Sequence, residues 1–198
     1  MKNMEKQVRI SNSIINYEIV HRSIKYPRLE FKTGKLLLVL PKNHRDHNDI
    51  IEKHKDWIYK RNSEITAAVV KAQKKKLDLK RTEEEFKGSI YSIIENISGD
   101  LKININKIYF RRMKSKWGSC SSKKNLTINT LLRYLPKNLI EYVIFHEMVH
   151  LIERKHNECF WNIISNKIKN YKEYEKELFE YWFLIQKVEN ESVLHIHT

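Results

Sequence analysis

Hydrophobic and polar positions give the N-terminal part of the chain a strand-like pattern. Ile14 to Val20, Arg28 to Phe31 and Lys35 to Leu40 read as three strands. Thr33-Gly34 forms a turn between the last two, and Pro41 ends the third. The period then lengthens. From Asn48 to about Gln73, Ile50, Ile51, Trp57, Ile58, Ile65 and Val69 recur at helical spacing, which predicts one or two helices before the basic break Lys74-Lys75-Lys76. Thr82 with Glu85 makes a capping-box pattern that opens a helix to about Ile97, with Phe86, Ile90, Tyr91, Ile93 and Ile94 on its buried face. Lys107 to Met113 and Asn125 to Leu132 read as strands joined by a loop from Ser115 to Lys124. Pro136 suits the first turn of a largely apolar helix carrying Leu139, Ile140, Val143, Phe145, Val149 and Ile152. Two further helices follow, Glu158 to Lys169 and Lys172 to Ile185. The pattern is that of an α+β chain: a β-rich N-terminal segment over residues 1–45, a mixed domain over 46–190 and a flexible tail over 191–198.

Candidate chemistry concentrates in the apolar helix, as His146-Glu147-Met148-Val149-His150. Residues four apart lie on one helical face, so the two imidazoles converge and can share a cation. Glu147 follows the first of them and can reach a metal-bound water without being a ligand. Two imidazoles and a carboxylate would be costly as passive core residues, because buried polar groups need partners. A metal is the simplest partner.

A catalytic zinc takes three protein ligands and keeps a fourth position open. The helix therefore has to end near Glu153 to Lys155 and the chain turn back, so that His156 can close the site. Carboxylate alternatives are Glu153 and the later run Glu173, Glu175, Glu177 and Glu180, which sit among lysines and read as a solvated face. Imidazole suits zinc better and His156 is close in sequence, so it is the preferred third ligand. The spacing from His150 to His156 is also that of metzincins, but Glu153 stands where that group has its turn glycine.

The string Arg112-Met113-Lys114-Ser115-Lys116-Trp117-Gly118-Ser119-Cys120-Ser121, then Asn129, the His146 to His150 run, His156 and the pair Phe160-Trp161 together resemble the YgjP-like metallopeptidases, relatives of the SprT-like zinc proteases. The likeness extends upstream to His21-Arg22-Ser23, the strands around Gly34, Pro41 and Asp56-Trp57-Ile58. It implies a small zincin-like domain that hydrolyses protein or peptide substrates, with His146, His150 and His156 on Zn2+ and Glu147 as general base. Asn157-Glu158 and His21 depart from the family's usual residues without touching a proposed ligand.

Composition modifies this picture in three ways. The chain has 198 residues and is 41% hydrophobic, enough for one sizeable core. Its two cysteines, Cys120 and Cys159, suit free thiols in a reducing compartment, with Cys159 expected as a buried thiol. There is no apolar N-terminal stretch of signal-peptide length and no run approaching a membrane span, so no membrane partner and a cytoplasmic location are expected. The net charge of +14, clustered at Lys71 to Arg81, Arg111 to Lys116 and Lys123-Lys124, keeps a second class open. That class is a module that binds DNA or RNA around a structural or latent metal, or a protease directed by nucleic acid. The sequence carries no signal for an oligomeric state. For the tetrahedral oxyanion, Tyr171, Tyr174, Arg112 and the loop around Trp117 are candidate donors, and the Asn125 to Leu132 strand or its partner is the candidate edge for a substrate main chain. Trp117 is expected to pack beneath the site, with Gly118 permitting a tight turn.

Overall fold

The computed structural model describes residues 4–32, 34–44 and 48–194. It is a mixed α+β chain with two small sheets and six α-helices among the described residues. The chain parts into two compact units, one running through Lys74 and resumed from Gln186, the other Lys75–Ile185.

In the first unit, β1 (Met4–Ile10), β2 (Ser13–Arg22), β3 (Arg28–Lys32) and β4 (Lys35–Pro41) form a sheet of order β1-β2-β4-β3. β4 runs parallel to β2 and antiparallel to β3. Its unbroken run Leu36 to Leu40 is buried throughout, as befits a central strand covered on both faces. β2 instead alternates, burying Ile15, Tyr17 and Ile19. Two helices follow, α1 (Asn48–Lys53) and α2 (Lys55–Ala72). Ile51 and Ile58 from these helices join Leu36, Leu38 and Leu40 in one apolar cluster. That packing draws the helices into the first unit, so the division falls after Lys74, whereas the sequence pattern suggests residue 45. The strand β1 precedes Ile14, where the sequence pattern places the first strand; Thr33 of the expected turn lies outside the described residues.

The second unit holds α3 (Glu83–Leu101), β5 (Lys107–Arg111), β6 (Gly118–Cys120), β7 (Asn125–Asn129), a 3-10 turn over Thr130–Tyr134, α4 (Lys137–Val149) and α5 (Glu158–Lys167). It also includes α6 (Tyr171–Leu194) as far as Ile185. The capping box of α3 forms as read: Glu85 N–H donates to Thr82 Oγ1 at 3.1 Å and Thr82 N–H to Glu85 Oε2 at 2.8 Å. Phe86, Ile90, Ile93 and Ile94 are buried, but Tyr91 is exposed and meets Phe110 edge-on. α4 is apolar nearly all round, with Leu139, Ile140, Tyr142, Val143, Ile144, Phe145, Met148 and Val149 buried, which marks a central helix. It packs against α3, α5, β6 and β7.

The three-stranded sheet has the order β5-β7-β6, with β5 parallel and β6 antiparallel to the central β7. β6 is a short strand inside the stretch the sequence presents as a loop. α6 starts one residue before the expected helix and continues nine residues beyond its expected end at Ile185. It therefore takes in residues 191–194 of the expected tail; residues 195–198 lie outside the described residues. No helix of the described residues is long and apolar enough to cross a membrane.

Two residues of the basic stretch from Lys71 to Arg81, Lys75 and Arg81, are engaged inside the second unit. Lys75 Nζ pairs with Glu177 at 2.8 Å and with the buried Glu180 at 3.1 Å. Arg81 Nη1 donates to the carbonyls of Arg133 and Leu135 at 2.8 and 2.9 Å, while its Nη2 meets Asp78 at 2.7 Å.

Candidate metal centre

His146 and His150 leave one face of α4 a turn apart, their rings 5.2 Å between centroids and near perpendicular. The regular helix ends at Val149, four residues before the expected stop, and a turn closes it through Leu151 N–H to Met148 O, Ile152 N–H to Val149 O and Glu153 N–H to Val149 O. Ile152, expected in the core, is exposed on this turn. Glu153 then steadies the return of the chain by accepting Lys155 N–H at 3.0 Å, and Asn157 caps α5 by accepting Phe160 N–H at 3.0 Å. His156, held between these two caps, turns back onto the α4 pair. Its ring centroid lies 5.0 Å from that of His146 and 4.7 Å from that of His150.

Aromatic rings fix the imidazoles. Phe160, fully buried, stacks on His150 at 4.7 Å and meets His146 and His156 edge-on. Trp161 stacks on His156 at 5.5 Å, and Tyr171 stacks on Trp161 at 5.1 Å. Among the described residues the cluster able to hold a metal ion is His146, His150 and His156, whose ligand atoms all lie within 4.8 Å of one another. The candidate carboxylates Glu153, Glu173, Glu175, Glu177 and Glu180 are not part of it. Nε2 of His146 and Nε2 of His156 are 3.1 Å apart. Two nitrogens on a tetrahedral zinc at about 2.0–2.1 Å each would stand about 3.4 Å apart, so the His146–His156 pair already has nearly that spacing and the third imidazole is within reach of the same ion. Burial, and secondarily the neighbouring imidazoles, pushes His146 down to about 3, so its ring is neutral and has a lone pair to offer. Burial also lowers His150, against the Glu153 carbonyl that its Nδ1 faces at 3.2 Å.

Glu147 lies on the side of α4 that meets β6. Burial pushes its carboxyl up to about 7, opposed by the nearby Lys116 charge and by a hydrogen bond from the Cys120 N–H. The origin of that hydrogen bond lies in the ladder. Trp117 with Asn129 and Ser121 with Asn125 are bonded across β6 and β7, so the antiparallel alternation turns the N–H and C=O of Gly118 and Cys120 away from β7, and the Cys120 N–H reaches Glu147. Gly118 is needed here for space. A Cβ at that position would lie 2.6 Å from Glu147 Cγ and 3.1 Å from Cδ and Oε1. No left-handed backbone is involved, and the tight-turn role expected for this glycine does not hold. The Cys120 thiol is pushed up to about 11 by burial and by the Glu147 charge, so it stays neutral at pH 7; Cys159, expected to be buried, is exposed on α5.

Asn129 is fully buried at the end of β7 and holds the chain that leads into β6. Its Nδ2 donates to the carbonyls of Met113 and Lys116 at 3.0 and 2.8 Å, and its Oδ1 accepts from the N–H groups of Met113 and Leu131 at 3.2 and 3.1 Å. Replacing Asn129 by Ala leaves these backbone groups without partners, at about 1–3 kcal/mol for each that stays dry. The expected loss is about 3 kcal/mol, read as a lower urea midpoint at unchanged slope.

Other candidates named from the sequence fall elsewhere. Arg112 lines a cavity of about 230 Å3 with Phe86, Lys87, Phe110 and Arg133, and none of the three histidines takes part in that lining. Trp117 is half-buried and meets Trp182 edge-on at 4.9 Å, a packing role as expected. Tyr174 meets the edge of Tyr142 at 5.7 Å. Glu175, read as part of a solvated face, accepts a short hydrogen bond from Tyr142 Oη and places Oε1 3.9 Å from His146 Nδ1.

Comparison with known proteins adds to this geometry. No curated protein sequence matches the chain. Among solved structures, it resembles the metallopeptidase zymogen of Pyrococcus abyssi abylysin at 21% identity, covering 45% of this chain and 90% of that one with a TM-score of 0.41. It also resembles the metallopeptidase zymogen of Methanocaldococcus jannaschii jannalysin at 30% identity, covering 50% of this chain and 89% of that one, again with a TM-score of 0.41. The family model described as the YgjP-like metallopeptidase domain matches residues 71–181, a span that holds the three histidines, Glu147, Gly118 and Asn129. With more than half of its length matched, the chain belongs to the YgjP-like metallopeptidase family.

Proposed function

We propose that the chain is a zinc-dependent peptidase in which His146, His150 and His156 hold the metal and Glu147 is the general base. The observation that carries this reading is the convergence of the ligand atoms of three imidazoles within 4.8 Å of one another beside a partly buried carboxylate on α4. The family implies a metal ion, and three imidazoles without a thiolate suit a catalytic zinc rather than a closed structural one, which has four ligands rich in cysteine. When bound, zinc supplies Lewis acidity and a water that ionises near pH 7. Glu147 takes up the proton of the attacking water on its carboxylate and delivers it to the departing amine nitrogen. Cys120 N–H and the Gly118 surface hold that carboxylate in place between the two transfers.

The substrate reading follows from the sheet. β7 is paired on both sides, so it is closed to a substrate main chain; its expected partner β5 is an edge, and so is β6, the edge strand beside Glu147. An extended peptide paired along the outer side of β6 would run past Glu147 and use the outward main-chain groups other than the Cys120 N–H, which is committed to that carboxylate; such bonds give affinity with little sequence preference. Unfolded protein segments are therefore the proposed substrate class.

Elemental analysis of purified protein tests the reading. About one zinc per chain is expected for a single three-ligand site, and much less in His156→Ala, with cleavage of an unfolded protein substrate lost alongside the metal. Wild-type protein that takes up no metal, or His156→Ala protein that keeps it, would overturn the ligand set.

A further inference from the structure

The metal centre has one polar atom that the ligand set does not explain. Nδ1 of His146 is shut off from solvent and, among the described residues, has no hydrogen-bond partner. His150 differs, because its Nδ1 faces the Glu153 carbonyl at 3.2 Å. A histidine that gives Nε2 to a metal carries its proton on Nδ1, and that proton needs an acceptor to fix the ring and to raise its basicity. Water cannot serve a nitrogen it does not reach. The nearest carboxylate oxygen is Glu175 Oε1 at 3.9 Å, on α6.

We propose that Glu175, steered by Tyr142, is the positioning residue for His146: its Oε1 accepts the Nδ1 proton once a metal occupies Nε2. This rests on the ligand set proposed above. The geometry supports it from both ends. Tyr142 is buried, stands one turn before His146 on α4 and donates to the same oxygen, Glu175 Oε1. A carboxylate oxygen has lone pairs for two donors, so Tyr142 need not be displaced. Closing the gap from 3.9 Å to hydrogen-bond distance requires a shift of about 1 Å, within the reach of a glutamate whose side chain is 47% exposed. Glu175 also lies against Nδ1, whereas the converging Nε2 atoms of His146 and His156 define the metal side of the ring. Its place is behind a ligand and not among the ligands.

The test is zinc affinity, measured by competition with a chromophoric chelator, on wild type, Glu175→Ala, Glu175→Gln, Tyr142→Phe and His156→Ala. Glu175→Ala is expected to bind one zinc about 10–100-fold more weakly. Tyr142→Phe, which keeps the carboxylate, should lose less than tenfold. A merely structural role is separated by nitrogen-15 NMR of histidine-labelled zinc protein. The His146 Nδ1 proton should be slow to exchange in wild type and in Tyr142→Phe, and exchange-broadened in Glu175→Ala. Should the alanine variant fold poorly, the isosteric Glu175→Gln carries the same comparison, with a smaller loss of affinity and faster proton exchange than wild type. Affinity within twofold of wild type in both Glu175 variants, or a protected Nδ1 proton in their absence of carboxylate, overturns the proposal while leaving the ligand set intact. If wild type and His156→Ala bind zinc equally, the ligand set falls and the role of Glu175 falls with it.

Discussion

Glu147→Gln protein is expected to hydrolyse an unfolded substrate about 10²–10⁴-fold more slowly than wild type, the range that a positioned general base contributes. Metal content and fold should be unchanged. The substitution removes the ability to take a proton, and the carboxylate charge with it. The amide has nearly the volume of the carboxylate, and its oxygen can still accept from Cys120 N–H, the contact that holds Glu147 in the native protein. Gly118 leaves the same space for either side chain. The check is kcat and KM on a denatured protein substrate together with zinc stoichiometry on the same preparation. A fall in kcat with about one zinc retained places the proton transfer on Glu147, because an interaction made only in the transition state lowers kcat and kcat/KM together. Full activity in metal-replete Glu147→Gln protein would sink the assignment, and loss of activity with loss of metal would show that the residue acts on the site's integrity instead.

The elements legible in the sequence are those whose signal is local. Thr82 and Glu85 form a cap within four residues, and α3 starts where they place it. The His146 and His150 pair needs only helical spacing, and His156 needs only a turn. What the sequence hides depends on residues distant along the chain. β6 has three residues, Gly118-Ser119-Cys120, too few to show a period and made of residues that favour loops; its partner on β7 makes it a strand. The role of Gly118 cannot be read without knowing that Glu147 occupies the space above it. Asn129 enters the sequence reading only through a family resemblance, and its four hydrogen bonds appear only when the chain from Met113 to Lys116 folds over it.

Charged residues mislead most. Glu175 and Glu180 look solvated among lysines, yet one abuts His146 and the other is buried against Lys75. A glutamate on a helix carries no mark of which face it takes until both neighbours are packed. For the same reason, counting lysines and arginines overstates the charge open to a nucleic acid, since Lys75 and Arg81 are committed to internal partners.

The close approach of Gly118 to Glu147 makes a prediction that sequence alone would not suggest. Gly118→Ala is expected to lower kcat about 10²-fold with about one zinc still bound, the loss that a misplacement of roughly 1 Å can cause. The added methyl would stand 2.6 Å from Glu147 Cγ, inside any normal carbon contact, and the obstacle is not a free chain end but a buried carbon close to the helix backbone. Either the carboxylate swings away from the water it must deprotonate, or β6 lifts from α4 and breaks the Cys120 hydrogen bond. Overpacking of this kind costs about 1–3 kcal/mol in stability, so the fold should survive. The decisive comparison is the double variant. If Gly118 acts by placing Glu147, adding Gly118→Ala to Glu147→Gln should lower kcat little further, because the base it would displace is already gone. Multiplicative losses in the double variant would instead mean that Gly118 serves the substrate edge of β6 directly, and the two residues would have to be treated as separate parts of the site.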